Sequence, residues 1–173
     1  MGESSSGKST LLGVLKSGEK DNGKGYARGK VLTHKHEIMS GTTQSRSHHV
    51  IGFDAKGNLY NKNCMMSMEK WLDNANKLLT FIDVGGHRKA EKQVVSTLCS
   101  FFPEYALWVA SAVDKKCSSA SIELAAIFGL PLIVVVTHLD LVDKEKEVEA
   151  VLRVKEELKK FFPDKTPCLV REM

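Results

Sequence analysis

Two rhythms of apolar and polar positions divide the chain. From Lys8 to Lys16, Leu11, Leu12, Val14 and Leu15 fall at helical spacing, and Gly18 with Asp21-Asn22-Gly23-Lys24-Gly25 supplies the turn residues that end the helix. Tyr26 to Arg46 has no clean period and is rich in Lys, His, Gly, Ser and Thr. It reads as a long surface loop with a short helical piece around Lys30 to Glu37. Val50 to Asp54, a turn at Lys56-Gly57-Asn58, and Leu59-Tyr60 predict a hairpin. Ser67 is placed to cap a helix through Leu78, with Met68, Trp71, Leu72 and Ala75 on a core face.

The second half is more regular. Leu78 to Ile82 and Leu132 to Val136 are apolar runs with β-branched residues, Tyr105 to Ala110 is a short apolar run, and each predicts a strand. Between and after them lie predicted helices over Lys89 to Phe101, from Ser118 or Ser119 to Phe128, and over Lys144 to Phe162, stopped by Pro163. The last helix carries Val148, Val151, Leu152, Lys155 and Leu158 near one stripe, with its Lys/Glu mixture on a solvated face. Pro167 to Met173 reads as a final strand. Strands alternating with helices imply crossovers, hence an α/β fold with a doubly wound, mainly parallel sheet and helices on both faces.

Composition narrows the class without naming a chemistry. A chain of 173 residues, 42% hydrophobic and 27% charged, is one globular domain of ordinary size. Its net charge of +4 is too mild to point to nucleic acid on its own. Cys64, Cys99, Cys117 and Cys168 have no close metal spacing and read as reduced cysteines of a cytoplasmic protein. No signal peptide opens the chain. The apolar run from Ile122 to Val136 is interrupted by Glu123 and Pro131 and is too short to span a bilayer, so no membrane partner is expected.

The chemistry starts at Gly2-Glu3-Ser4-Ser5-Ser6-Gly7-Lys8-Ser9-Thr10, which reads G-x-x-x-x-G-K-S. Phosphate groups are multiply charged, and main-chain N–H groups at a loop feeding a helix N-terminus can surround them. Gly2 and Gly7 allow the close approach, Lys8 reaches the outer phosphates, and Ser9 offers a hydroxyl to Mg²⁺. Such loops follow a buried strand, yet only Met1 precedes Gly2, so a central strand is expected to be missing.

Two further groups follow in order. Asp83-Val84-Gly85-Gly86-His87 sits at the carboxyl end of a predicted strand, where ligands collect in open α/β sheets. Asp83 can hold Mg²⁺ through water, and the Gly86 N–H can meet a γ-phosphate. Thr137-His138-Leu139-Asp140 follows another strand. There Asp140 could accept from guanine N1 and N2, a donor pair adenine lacks. The first two residues of the usual N-K-x-D are here Thr137 and His138. His34, His36, His48 and His49 lack the companions of a metal cluster and read as surface histidines, and Lys24 to Lys35 reads as a solvated basic loop.

These stretches resemble translational GTPases of the elongation-factor-Tu type. Leu11-Leu12-Gly13-Val14-Leu15, Asp21-Asn22-Gly23, His34-Lys35-His36-Glu37-Ile38 and Ile51-Gly52-Phe53-Asp54 are most similar to the group called GTP-binding proteins 1 and 2. The resemblance implies a P-loop NTPase fold: one GTP-binding domain over residues 1–173, cut short at both ends, with a switch-like loop over about 19–49. It implies GTP and GDP as ligands, Mg²⁺ as cofactor, and the ribosome or RNA as partner. By the same resemblance Gly2 to Thr10, Asp83, Gly86, Thr137, His138 and Asp140 bind nucleotide. Ser9, Asp83 and a switch threonine bind the metal. Thr43 is the better match for that threonine, Thr42 the alternative. His87 matches the histidine that positions attacking water in these enzymes. A catalytically impaired guanine-nucleotide-binding module and a P-loop ATPase are the rival readings.

Overall fold

The computed structural model describes residues 1–32, 34–59, 74–86, 91–114, 119–168 and 170. Its elements are α1 Lys8–Ser17, α2 Tyr26–Gly29, α3 Lys35–Ser40, β1 Ser47–Phe53, β2 Lys77–Asp83, α4 Glu91–Phe101, β3 Ala106–Ser111, α5 Ala120–Ile127, β4 Leu132–Thr137 and α6 Lys144–Phe161. A 3-10 turn covers Leu139–Leu141. Two compact units emerge, one of residues 7–93 and one of residues 1–6 with 94–173. The described strands form two pairs, β1 antiparallel to β2 and β3 parallel to β4.

In the 7–93 unit, α1 buries Leu12, which packs with Val31 and Ile51; Phe53, Leu59 and Phe81 flank that cluster. Gly18, in the left-handed region at φ 67°, ends α1 and returns its N–H to the Val14 carbonyl. The segment expected as loop contains the one-turn helices α2 and α3. Both are too short to persist alone. They are held by burial of Ala27 and Val31, and of Glu37. The predicted hairpin over 50–60 forms its turn, with Asp54 accepting from the N–H groups of Lys56 and Asn58. Phe53 and Leu59 make an antiparallel bridge across it, and Tyr60 lies outside the described residues. The longer ladder of β1 runs to β2, from Ser47 opposite Asp83 to Phe53 opposite Lys77. Lys77 and Leu78, expected at the end of a 67–78 helix, belong to β2, while Met68, Trp71 and Leu72 lie outside the described residues.

In the other unit, β3 and β4 pair in register from Ala106 opposite Leu132 to Ser111 opposite Thr137. Trp108, Ala110, Ile122, Val154 and Leu158 form its core, so α5 and α6 cover these strands. The buried stripe of α6 is Ala150, Val154 and Leu158, at intervals of four residues. Val148 and Leu152, expected on that stripe, are half exposed because they lie on other sides of the helix. The Met1 carbonyl accepts from Val109 N–H, and its amino group donates to the Leu107 carbonyl, forming one parallel rung on β3. Of the predicted final strand, Pro167, Cys168 and Val170 have no regular structure; the other members Leu169 and 171–173 are not described.

Candidate functional site

The residues singled out by sequence gather in two sets, one in each unit. In the 7–93 unit, Gly7 stands before α1 at φ 84°, a left-handed conformation that a side chain would strain. No side chain caps α1 and its first turn carries no acidic residue. The opening N–H groups of a helix have no acceptor within it, and the helix dipole adds partial positive charge there. Lys8, Ser9 and Thr10 form that first turn.

Three oxygen-bearing side chains meet beside it. Ser9 Oγ donates to Asp83 Oδ2 at 2.8 Å and lies 2.6 Å from Thr43 Oγ1. Thr43 Oγ1 also donates to Asp83 Oδ2, at 3.3 Å. They come from the start of α1, from the loop between α3 and β1, and from the end of β2. Asp83 and Thr43 are buried. Of the two threonines left open by sequence, Thr43 makes these contacts, whereas Thr42 is half-buried and pairs with Ser40. Gly86 is half-buried, three residues past Asp83, and His87 falls outside the described residues.

The loop bearing Thr43 is tied down by a residue that sequence reasoning gave no role. Glu37 is 2% exposed, and its Oε1 accepts from Gln44 N–H, Ser45 N–H and Ser45 Oγ at 2.8, 2.8 and 2.7 Å. Burial pushes this carboxyl pKa up. The N–H groups of Ser45 and Gln44, the Ser45 hydroxyl and the field of His34 outweigh that and lower it from 4.5 to about 2. Periodicity hides this residue, because its neighbours Ile38 and Met39 face solvent while the charge points inward.

Of the four histidines read as surface residues, His34, His36 and His48 are exposed, and His49 is a correction, because it is buried. His34 and His36 stack, with ring centroids 5.5 Å apart, and His49 is buried against Ser47. Burial, followed by the charge of Lys16, holds the His49 pKa low.

The other unit holds the remaining residues. Gly2 has φ 130°, and a Cβ there would lie 2.3 Å from the Val109 carbonyl oxygen, so only glycine lets the chain pass this close to β3. Glu3 is half-buried, Ser4 exposed, Ser5 exposed at φ 62°, and Ser6 almost fully buried. Thr137 Oγ1 is 2.8 Å from the Ser6 carbonyl and 3.1 Å from that of Ala110, and its single proton serves these acceptors. The threonine thereby ties the loop of Gly2 to Ser6 to the end of β4. His138, at φ 58°, sets Nδ1 3.2 Å from Ser111 Oγ and 3.3 Å from Thr137 Oγ1. Ser111 was missed by sequence reasoning, although it ends β3 at the carboxyl side, where such residues collect. Asp140 is exposed, in the 3-10 turn.

Among the described residues, Cys99 and Cys168 are free thiols, no group of three or more His, Cys, Asp or Glu side chains is arranged to hold a metal, and no helix is long and apolar enough to cross a membrane. The donors near α1 are instead two hydroxyls and one carboxylate, all hard oxygens of the kind Mg²⁺ takes alongside phosphates and water.

The family model for the elongation factor Tu GTP binding domain matches residues 1–170. The chain is 37% identical over 172 residues to GTP-binding protein 2 of Homo sapiens, covering 98% of the chain and 29% of that protein. The same figures hold for GTP-binding protein 2 of Mus musculus. It is 37% identical over 177 residues to GTP-binding protein 1 of Xenopus laevis, covering 99% of the chain and 27% of that protein. The chain thus spans less than a third of the length of these relatives. With a phosphate loop, an Asp83 group and a Thr137 group in the family's order, this chain belongs to the elongation factor Tu GTP-binding domain family and has its P-loop α/β fold.

Proposed function

We propose that this chain binds GTP and GDP with Mg²⁺ and hydrolyses GTP slowly, on a doubly wound P-loop sheet, in a cytoplasmic protein of translation-factor type. The observation that carries the reading is the meeting of Ser9, Thr43 and Asp83, which are separated by 34 and 40 residues along the chain. Ser9 and Thr43 would hold Mg²⁺ through their hydroxyls and Asp83 through its carboxylate, directly or across water. When bound, the metal neutralises charge on the phosphate oxygens.

The chain's own residues do the rest. Lys8 and the opening N–H groups of α1 hold the phosphates, with Gly2 to Ser6 and Thr10 shaping the loop. Gly86 offers its N–H to the γ-phosphate. Thr43 closes on the triphosphate and lets go of the diphosphate, so its loop reports which nucleotide is bound. His87 orients the water that attacks the γ-phosphorus; the β–γ bridging bond breaks and GDP and phosphate leave. Phosphoryl transfer depends mainly on positioning and charge stabilisation, so a neutral orienting group suffices. Asp140 accepts from the guanine N1 and N2 donors, with the ring of His138 beside the base. A partner such as the ribosome, or RNA, accelerates the reaction.

Titration with fluorescent GDP, GTP and ATP analogues, with and without Mg²⁺, tests the binding. A guanine preference that weakens on chelation is expected, and a preference for ATP overturns the base assignment. Single-turnover phosphate release tests the chemistry. His87→Ala should slow it by about 10²-fold or more, and equal rates would make the chain a binding module without catalysis.

A further inference from the structure

We propose that Glu37 is a positioning residue for Thr43: it closes the loop after α3 so that the Thr43 hydroxyl is presented to Ser9 and Asp83. The inference rests on the reading that Thr43 closes on Mg²⁺ and the γ-phosphate.

Three features carry it. First, Glu37 holds both sides of the threonine. Its main-chain carbonyl accepts from Gly41 N–H at 2.7 Å, while its carboxylate accepts from the N–H groups of Gln44 and Ser45. Residues 41–45, with Thr43 in the middle, are thereby bonded at each end to one residue. Gly41 allows the reversal, at φ 67°. Second, none of these bonds uses Thr43 itself. Its hydroxyl is left to Ser9 at 2.6 Å and Asp83 at 3.3 Å. Third, the clamp is an ion in a dry place. Glu37 is 2% exposed, and all three donors converge on one oxygen. Bonds to an ionised acceptor are roughly twice as strong as neutral ones, and low dielectric strengthens them further. Ile38 and Met39 beside it stay in solvent, so α3 gives up apolar burial to point this charge inward.

A clamp that acts through Thr43 should matter for the triphosphate and not for the diphosphate. The full chain, its Glu37→Ala, Glu37→Gln and Thr43→Ala variants, and the double variant Glu37→Ala/Thr43→Ala are titrated with fluorescent GDP and with a non-hydrolysable GTP analogue in Mg²⁺. Glu37→Ala should weaken the GTP analogue by about tenfold and leave GDP within about twofold. Glu37→Gln keeps an oxygen acceptor and loses the charge, so it should fall between. In the double variant the loss should equal that of Thr43→Ala alone, because the two residues act on one contact. GDP affinity reports that each variant folds. Equal losses for both nucleotides, or a Glu37→Ala loss that adds in full to that of Thr43→Ala, overturns the inference and leaves the Thr43 reading standing. A Thr43→Ala variant that binds the GTP analogue as well as the unaltered chain overturns that reading, and this inference with it.

Discussion

Replacing Gly13 by alanine sets two effects of opposite sign against each other. Glycine inside a helix is less favourable than alanine by about 1 kcal/mol, so propensity alone predicts stabilisation. The structure predicts the reverse. Gly13 is buried in α1, and an added Cβ would lie 2.0 Å from the Ala27 carbonyl oxygen and 2.4 Å from its carbon. The obstructing atoms are main chain, so no rotamer change relieves them. Ala27 is fully buried in α2, and its N–H is fixed to Asp21 Oδ1 at 2.7 Å. The helices must separate by about 1.5 Å before the 2.0 Å contact becomes an ordinary one. Overpacking of this kind costs about 1–3 kcal/mol, and displacement of backbone puts this case at the upper end. The net expectation is a loss of about 2 kcal/mol, a fall in melting temperature of about 4–8 °C for a chain of this size. Gly29→Ala is the control: it lies in α2, its added Cβ meets nothing within 4 Å, and it should stabilise slightly. Thermal and urea unfolding followed by circular dichroism reads both. A Gly13→Ala protein as stable as its parent, or more so, would refute the packing argument.

Other outcomes follow from single contacts. The Glu37 carboxyl has its folded pKa lowered to about 2, so its contribution is fully present above the ordinary value of 4.5 and is lost as pH falls from there toward about 2. A depression of that size is worth about 3 kcal/mol. The stability gap between the parent and Glu37→Gln, measured by urea unfolding, should therefore narrow steeply between pH 5 and pH 2, both of them about the limits of that titration; a gap that stays constant contradicts this. Thr137→Val removes the proton shared by the Ser6 and Ala110 carbonyls and should cost about 1–3 kcal/mol, whereas Thr137→Ser should recover most of it; equal urea midpoints for Val and Ser would count against the bond. Ser9→Ala should abolish most of the Mg²⁺ dependence of nucleotide affinity, seen as a titration with fluorescent GDP that chelation no longer shifts by more than about twofold; an unchanged dependence would exclude Ser9 from the metal.

What was legible in the sequence was local. β3 announces itself as a short apolar run and β4 as a β-branched one, α1 ends at Gly18, and α6 stops just before Pro163. Ser9 and Asp83, singled out far apart in the chain, meet at the start of α1, and Thr137 reaches the Ser6 carbonyl. What was illegible depends on partners distant in sequence. α2 and α3 span four and six residues, too few to carry a periodic signal, and they exist because Ala27, Val31 and Glu37 find partners in the fold. β1 pairs along seven residues with β2, a partner that lies beyond the nearer turn and that no local pattern names. Ala150 was passed over on α6 because a methyl group counts for little in a hydrophobic pattern, yet it lets the helix approach closely. Glu37 runs against the pattern outright, as a buried charge beside exposed Ile38 and Met39.

The bond between Thr137 and Ser6 has a consequence for synthesis. Its two ends are 131 residues apart, and residues 1–6 cluster with 94–173 rather than with the segment that follows them. On a translating ribosome, residues 7–93 emerge before the surroundings of Gly2 to Ser6 have been made. Contacts with such wide separation form slowly, because a long loop must close before any of them is rewarded. The early residues must therefore wait, unassembled, until β3 and β4 leave the exit tunnel. A nascent chain halted before Thr137 lacks the side chain that anchors residues 2–6.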